Sequence, residues 1–239
     1  MPAEFKNIAE GSRPFIVAVD GPAGSGKSSI CAAVCRELGW SYVNTGALYR
    51  AVGVIAYDQK IAMEQSPALV AVVKDFCDNA RWLHDSARLF YGDKDLTPRL
   101  SSVEAAAGAS NVAKMPFVRD ILKPLQRKLS LSAPRGAIVD GRDIGTVIFP
   151  DAGLKIFMTA SLEQRALRRM KQLDVSGSGS SLSKQDVMKS IESRDKQDSD
   201  RDAAPMRMAD DAVLFDTSDL GEQEAIQKLK ELLVRKFKI

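Results

Sequence analysis

Histidine is nearly absent: His84 is the only one in 239 residues. A Ser-His-Asp triad, a His-rich zinc site or a His proton shuttle would all have to be built on that one side chain, so most histidine chemistry is excluded. Cysteine is scarce too. Cys31, Cys35 and Cys77 are odd in number and form no C-x-x-C pair, which implies reduced thiols in a cytoplasmic protein rather than a disulfide frame. Cys31 and Cys35 lie four apart on one expected helix, but a two-thiol metal site there lacks further Cys or His partners nearby. Long apolar runs are missing; stretches such as Phe15–Val19 fall far short of the roughly 18–20 residues of a membrane span. The first dozen residues carry Glu4, Lys6 and Glu10 without an apolar core. They do not read as a secretory signal, and a flexible tail over 1–12 is expected. A net charge of +3 is too small to point to nucleic acid. No membrane or nucleic-acid partner is expected, and a monomer is the simplest assembly.

What is present is ordinary globular composition, 45% apolar and 27% charged, enough for a single domain over 13–239. Five short runs, Phe15–Asp20, Ser41–Asn44, Ala137–Asp140, Leu154–Ala160 and Ala212–Asp216, are apolar on successive residues, as suits parallel strands covered on both faces. Helical patterns occupy Lys27–Leu38, Leu48–Asp58, Val103–Ala113, Pro116–Leu131, Leu162–Leu173, Lys184–Asp198 and Glu222–Phe237. The alternation predicts an α/β fold with a doubly wound five-stranded parallel sheet. Pro124 is expected to kink the fourth helix or split it in two. Two segments break the alternation. Around 75–102, Arg81–Asp85, Ala87–Tyr91 and the Gly92-Asp93-Lys94 turn read as a small antiparallel insert. The Gly/Ser run Ser176–Ser181 reads as a flexible connection between two arginine-rich helices, the look of a helical lid over about 171–205.

Gly21-Pro22-Ala23-Gly24-Ser25-Gly26-Lys27-Ser28 matches G-x-x-x-x-G-K-[ST] at every fixed position, after a strand and opening a helix. Glycines let successive backbone N–H groups turn toward phosphate oxygens, and the helix N-terminus adds its positive end. Lys27 suits the β- and γ-phosphates of a nucleoside triphosphate, the Ser28 hydroxyl suits Mg²⁺, and Asp140, ending a strand just before a glycine, could support that ion through water or merely cap a turn. Such a loop does not choose among kinase, GTPase, motor or switch. A GTPase needs a base-reading [NT]-K-x-D after a strand. The nearest string, Ser183-Lys184-Gln185-Asp186, follows no strand and is better explained as a capping box. What remains is a set of arginines without histidine. Phosphoryl transfer to a phosphate monoester explains that, because the acceptor is largely dianionic above about pH 6 and needs no general base. Arg194, Asp198 and Arg201 are spaced i, i+4, i+7, as on one helical face, and Arg165, Arg168 and Arg169 cluster on the helix before.

At this point the chain resembles the bacterial-type cytidylate kinases, within the nucleoside monophosphate kinases. The resemblance runs from about Phe15 to Phe237. It rests on the phosphate loop, on Asn44-Thr45-Gly46-Ala47-Leu48-Tyr49-Arg50, on Asp140-Gly141-Arg142-Asp143-Ile144-Gly145-Thr146, and on Arg194-Asp195-x-x-Asp198-x-x-Arg201. It implies a magnesium-dependent transfer of the γ-phosphate of ATP to CMP or dCMP. Residues Gly21–Ser29, including Ser29, would hold the ATP phosphates. Arg50 and Arg142 would clamp the acceptor phosphate, with Thr45 and Tyr49 beside them. Ser110, Arg119 and Asp143 would read the cytosine edge. Arg194 and Asp198 would hold the ribose, and Arg201 would approach base and phosphates from the lid. Lys27, Arg142, Arg194 and Arg201 would stabilise the transferred group. Asn44 departs from the expected Asp. A broader UMP/CMP kinase and a nucleotide-binding scaffold or RNA-binding regulator remain as alternatives.

Overall fold

The computed structural model describes residues 14–175 and 183–239; the expected N-terminal tail and the Gly/Ser connection lie outside the described residues. Five parallel strands, β1 (Phe15–Asp20), β2 (Ser41–Asn44), β6 (Gly136–Asp140), β7 (Leu154–Thr159) and β8 (Val213–Asp216), form one sheet in the order β2-β6-β1-β7-β8. Because successive side chains point to opposite faces, Val17 and Val19 of β1 pack on one side with α1 (Lys27–Leu38) and α8 (Glu222–Phe237). Ile16 and Ala18 pack on the other with Val43, Val139 and Phe149. Both faces are covered, which is why these strands read as unbroken apolar runs.

A second core unites α2 (Thr45–Asp58), α3 (Pro67–Asn79), α4 (Val103–Val112) and α5 (Pro116–Leu131) with the insert. The insert is an antiparallel sheet of β3 (Ala80–Leu83), β4 (Arg88–Tyr91) and β5 (Lys94–Asp95). Helices α2 and α4 cross at Gly53 and Gly108, where a Cβ on Gly53 would lie 2.8 Å from Gly108 backbone atoms. That close crossing sets Ser110 over the end of the sheet.

Three expectations are corrected. Of the two outcomes expected at Pro124, a kink or a split, the split does not occur: helix α5 runs from Pro116 to Leu131 through Pro124. Burial of Val118, Leu122, Leu125 and Leu129 along one face outweighs the about 3 kcal/mol cost of an interior proline. Asp75–Asn79, expected at the edge of the insert, close helix α3. Helix α7 (Lys184–Ser199) stops before Arg201, which therefore leaves the helical face of Arg194 and Asp198. The Ser183–Asp186 capping box is formed in both directions.

Candidate active site

The phosphate loop turns out of β1 at Gly21, where φ is +141° and a Cβ would sit 2.0 Å from the Met158 carbonyl oxygen; only glycine fits. Gly26, at φ +92°, leads into α1. Lys27 is buried and folds back over its own loop, donating to the carbonyls of Gly21 and Pro22 at 2.8 Å each. Burial, with Arg142 nearby, pulls its pKa down to about 7. Ser28 Oγ donates to Asp140 Oδ2 at 2.8 Å, and the Tyr42 hydroxyl donates to the same oxygen at 2.8 Å.

This loop forms one wall of a cavity of about 640 Å³ over the carboxyl ends of the strands, where open α/β sheets bind ligands. Ala23–Ser29, Thr45, Tyr49, Arg50, Ser110, Arg119, Asp140, Arg142, Asp143, Arg194, Asp198 and Arg201 all line it, while Gly21 and Pro22 do not. The Asn44 side chain accepts from Ala47 N at 3.3 Å and caps α2, so this helix starts three residues before the apolar pattern. Capping needs only a side-chain oxygen, which Asn supplies as Asp would. Thr45 Oγ1 donates to the Asp140 carbonyl at 2.9 Å, and Ser110 Oγ donates to the Ala106 carbonyl at 3.1 Å. Arg50 reaches the Leu100 carbonyl at 2.8 Å.

Cations outnumber their partners in this cavity. Arg142 Nε donates to Asp198 Oδ2 at 2.8 Å. Arg194 has no hydrogen-bond partner among the described residues. Burial, then Arg142, lowers its pKa to about 10. Burial, then Arg169 and Arg142, also lowers the pKa of Arg50. Arg201 Nε holds the Asp198 carbonyl at 3.2 Å, and its buried Nη2 lies 3.7 Å from Asp198 Oδ1 with no hydrogen-bond partner among the described residues. Opposite, Arg119 pairs with Asp143 and lies over the Tyr49 ring with its guanidinium carbon 5.5 Å from the centroid. Burial lowers the Arg119 pKa, but Tyr49 and Asp143 outweigh it and hold it above the usual value. Such a pocket is built for polyanions on one side and for a planar hydrogen-bonding group on the other.

Asp143 is aimed by a π-helical turn, Ile144–Ile148. The buried Asp20 carboxylate accepts from Ile144 N and Gly145 N at 2.7 Å each. Burial nevertheless pushes the Asp20 pKa up to about 6. Nothing in the pattern singles out Asp20 or Tyr42, which read simply as strand. Arg169 carried a weak signal through its helical cluster; it lines the cavity, whereas Arg165 and Arg168 turn to the loop carbonyls of Ala23 and Ser25.

The model of the family described as cytidylate kinase matches residues 17–235. A cytidylate kinase from Exiguobacterium sp. AT1b is 40% identical over 91% of this chain and 95% of its own. One from Methylococcus capsulatus is 41% identical over 89% and 93%, and one from Thermotoga neapolitana 39% identical over 94% and 99%. With the phosphate loop, the arginine-rich cavity and the Arg119–Asp143 pair in one site, the match over nearly the whole length places this chain in the cytidylate kinase family.

Proposed function

We propose that the cavity transfers the γ-phosphate of ATP to the 5′-phosphate of CMP or dCMP, giving ADP and CDP or dCDP. Membership of the cytidylate kinase family makes the chain an ATP-dependent nucleoside monophosphate kinase. The observation that carries the reading at this site is the excess of arginine facing the phosphate loop: Arg50, Arg142, Arg169, Arg194 and Arg201 line one cavity with Asp198 between them.

Two polyanions must be held in line, and charge spread over the transferred group must be stabilised. Gly21–Ser29 cradle the ATP phosphates, with Lys27 leaving its loop carbonyls for phosphate oxygens. Arg50 and Arg142 hold the acceptor phosphate, with Thr45 and Tyr49 fixing the floor. An oxygen of that phosphate attacks Pγ, the bond from Pγ to the bridging oxygen breaks, and its electron pair leaves on the β-phosphate. Lys27, Arg142, Arg194 and Arg201 bear on the charge that develops. Family members use ATP with a divalent metal. Ser28 and, through water, Asp140 offer the hard oxygen donors that suit Mg²⁺, which when bound neutralises phosphate charge.

Arg119 donates to cytosine O2 and N3, Asp143 accepts from the N4 amino group, and the Ser110 oxygen stands beside them. Uracil would set O4 against the carboxylate, leaving acceptor facing acceptor. Arg194 and Asp198 take the ribose. Every group comes from one chain, so a monomer suffices. Three free cysteines, with no helix among the described residues long and apolar enough to cross a membrane, suit the cytoplasm, where these substrates are. Acceptor-dependent ADP release tests the reading; ATP hydrolysis that CMP does not stimulate would sink it.

A further inference from the structure

The string Arg194-Asp195-x-x-Asp198-x-x-Arg201 sends three side chains into the cavity and leaves Asp195 out of it. Asp195 faces the phosphate loop. Its Oδ1 accepts from the backbone N–H of Ala23 at 3.1 Å, and its Oδ2 pairs with Arg165 Nη1. The same Arg165 nitrogen donates to the Ala23 carbonyl at 3.2 Å, and Arg165 Nε donates to the Ala160 carbonyl at 3.1 Å. The Ala23 residue is thus gripped at both ends: its N–H by the carboxylate of α7, its C=O by the guanidinium of α6 (Leu162–Val175). Arg165 is only 9% exposed, and its Cβ lies 3.1 Å from where a Cβ on Gly24 would be, so it has little room to rearrange.

Elsewhere α7 meets α6 through a small apolar cluster, Ala166, Val187 and Ile191. That cluster fixes the first turns of α7 but not the last, where Arg194 and Asp198 are carried. Among the described residues, the bond from Ala23 to Asp195 is the one hydrogen bond joining the phosphate loop to α7. It falls next in sequence to Arg194, and one helical turn before Asp198.

We propose that Asp195 is a positioning residue for phosphoryl transfer: through Arg165 and the Ala23 N–H it seats the end of α7 on the phosphate loop, so that Arg194 bears on the transferred group while Asp198 stays on the ribose. This rests on the kinase reading above. Without the seat, α7 spends only part of its time with Arg194 in place, and turnover falls by that fraction. Ground-state binding of CMP changes less, because Arg50, Arg119 and Arg142, which hold its phosphate and base, lie outside α7 and only the ribose contacts of Arg194 and Asp198 are loosened. A looser α7 also admits water, so more ATP is hydrolysed per CDP formed.

The test compares D195A and D195N in the full chain with the wild type. Amide exchange of Ala23 is read by NMR in the free protein, and kcat, KM for CMP and phosphate released per CDP are read with MgATP. In D195A the Ala23 N–H is expected to exchange at least about tenfold faster. Its kcat is expected to fall about tenfold, with KM for CMP within about threefold and hydrolysis per CDP raised. D195N keeps an oxygen for the Ala23 N–H but no charge for Arg165, so it should retain amide protection and an intermediate kcat. Unchanged Ala23 exchange in D195A, or a D195A kcat within twofold of wild type, overturns the proposal. A wild type that transfers nothing to CMP sinks the kinase reading instead, and Ala23 exchange still decides whether Asp195 seats the helix.

Discussion

Arg119 Nη2 and Asp143 Oδ2 form a buried ion pair 2.5 Å apart in the cavity wall, both side chains about 8% exposed. In the proposed reading the pair would orient both groups toward cytosine, with Asp143 Oδ1 left outside the pair to accept from the base. Asp143→Asn replaces an acceptor-only carboxylate by an amide that also donates. The ratio of kcat/KM for CMP over UMP should fall by about 5–150-fold, the equivalent of about 1–3 kcal/mol for a mispaired buried group. An unchanged ratio in steady-state kinetics would remove Asp143 from base recognition.

Among the described residues Arg142 bonds only Asp198 and the Gly141 carbonyl, which leaves donors for phosphate oxygens. Arg142→Ala should lower kcat/KM by about 10²–10³-fold, as for loss of one preorganised donor. A loss below tenfold would exclude it from the phosphate clamp.

Lys27, whose pKa burial lowers to about 7, should regain its proton when triphosphate arrives. ATP binding at about pH 8 should therefore take up close to one proton, and affinity should fall as pH rises above about 7. Calorimetry in buffers of different ionisation enthalpy measures the uptake; none would contradict a lysine on the phosphates.

Asp20 titrates near 6 when folded, against 3.8 for an unperturbed carboxyl. The folded state then binds the proton more tightly than the unfolded chain. Stability contributed by Asp20 is present below about pH 4 and lost as pH rises through about 6. The shift corresponds to roughly 3 kcal/mol. Urea unfolding of wild type and D20N from about pH 4 to 8 should give a difference curve falling to a plateau above about 6. A flat difference would rule out a raised carboxyl.

Gly53 and Gly108 leave no room for a methyl group at the α2–α4 crossing. Gly53→Ala should cost about 1–3 kcal/mol by overpacking. It should also raise KM for CMP more than KM for ATP, because Ser110 moves with α4. Equal effects on both substrates would uncouple the crossing from the acceptor pocket.

Much of this was legible in the residues. Runs such as Phe15–Asp20 are apolar throughout because both faces of β1 are buried, and the phosphate loop carries its own chemistry at fixed spacing. Helix α3 also had its signal: Ser66 as cap, Pro67 at the first position, and Leu69, Val72, Val73 and Phe76 at helical spacing. The π-helical turn at Ile144 was not legible, since it is held by Asp20, more than a hundred residues away. Helical spacing put Arg201 on one face with Arg194, but the helix ends at Ser199. Where Asp195 points depended on how α7 meets the phosphate loop, which no local pattern contains.

The most direct measurement is ADP release with MgATP against CMP, dCMP, UMP, AMP and GMP at matched concentrations. The account predicts preferential turnover of CMP and dCMP, with little for the others. Comparable or faster turnover of UMP would contradict the roles of Ser110, Arg119 and Asp143, and no turnover with any acceptor would contradict the kinase itself.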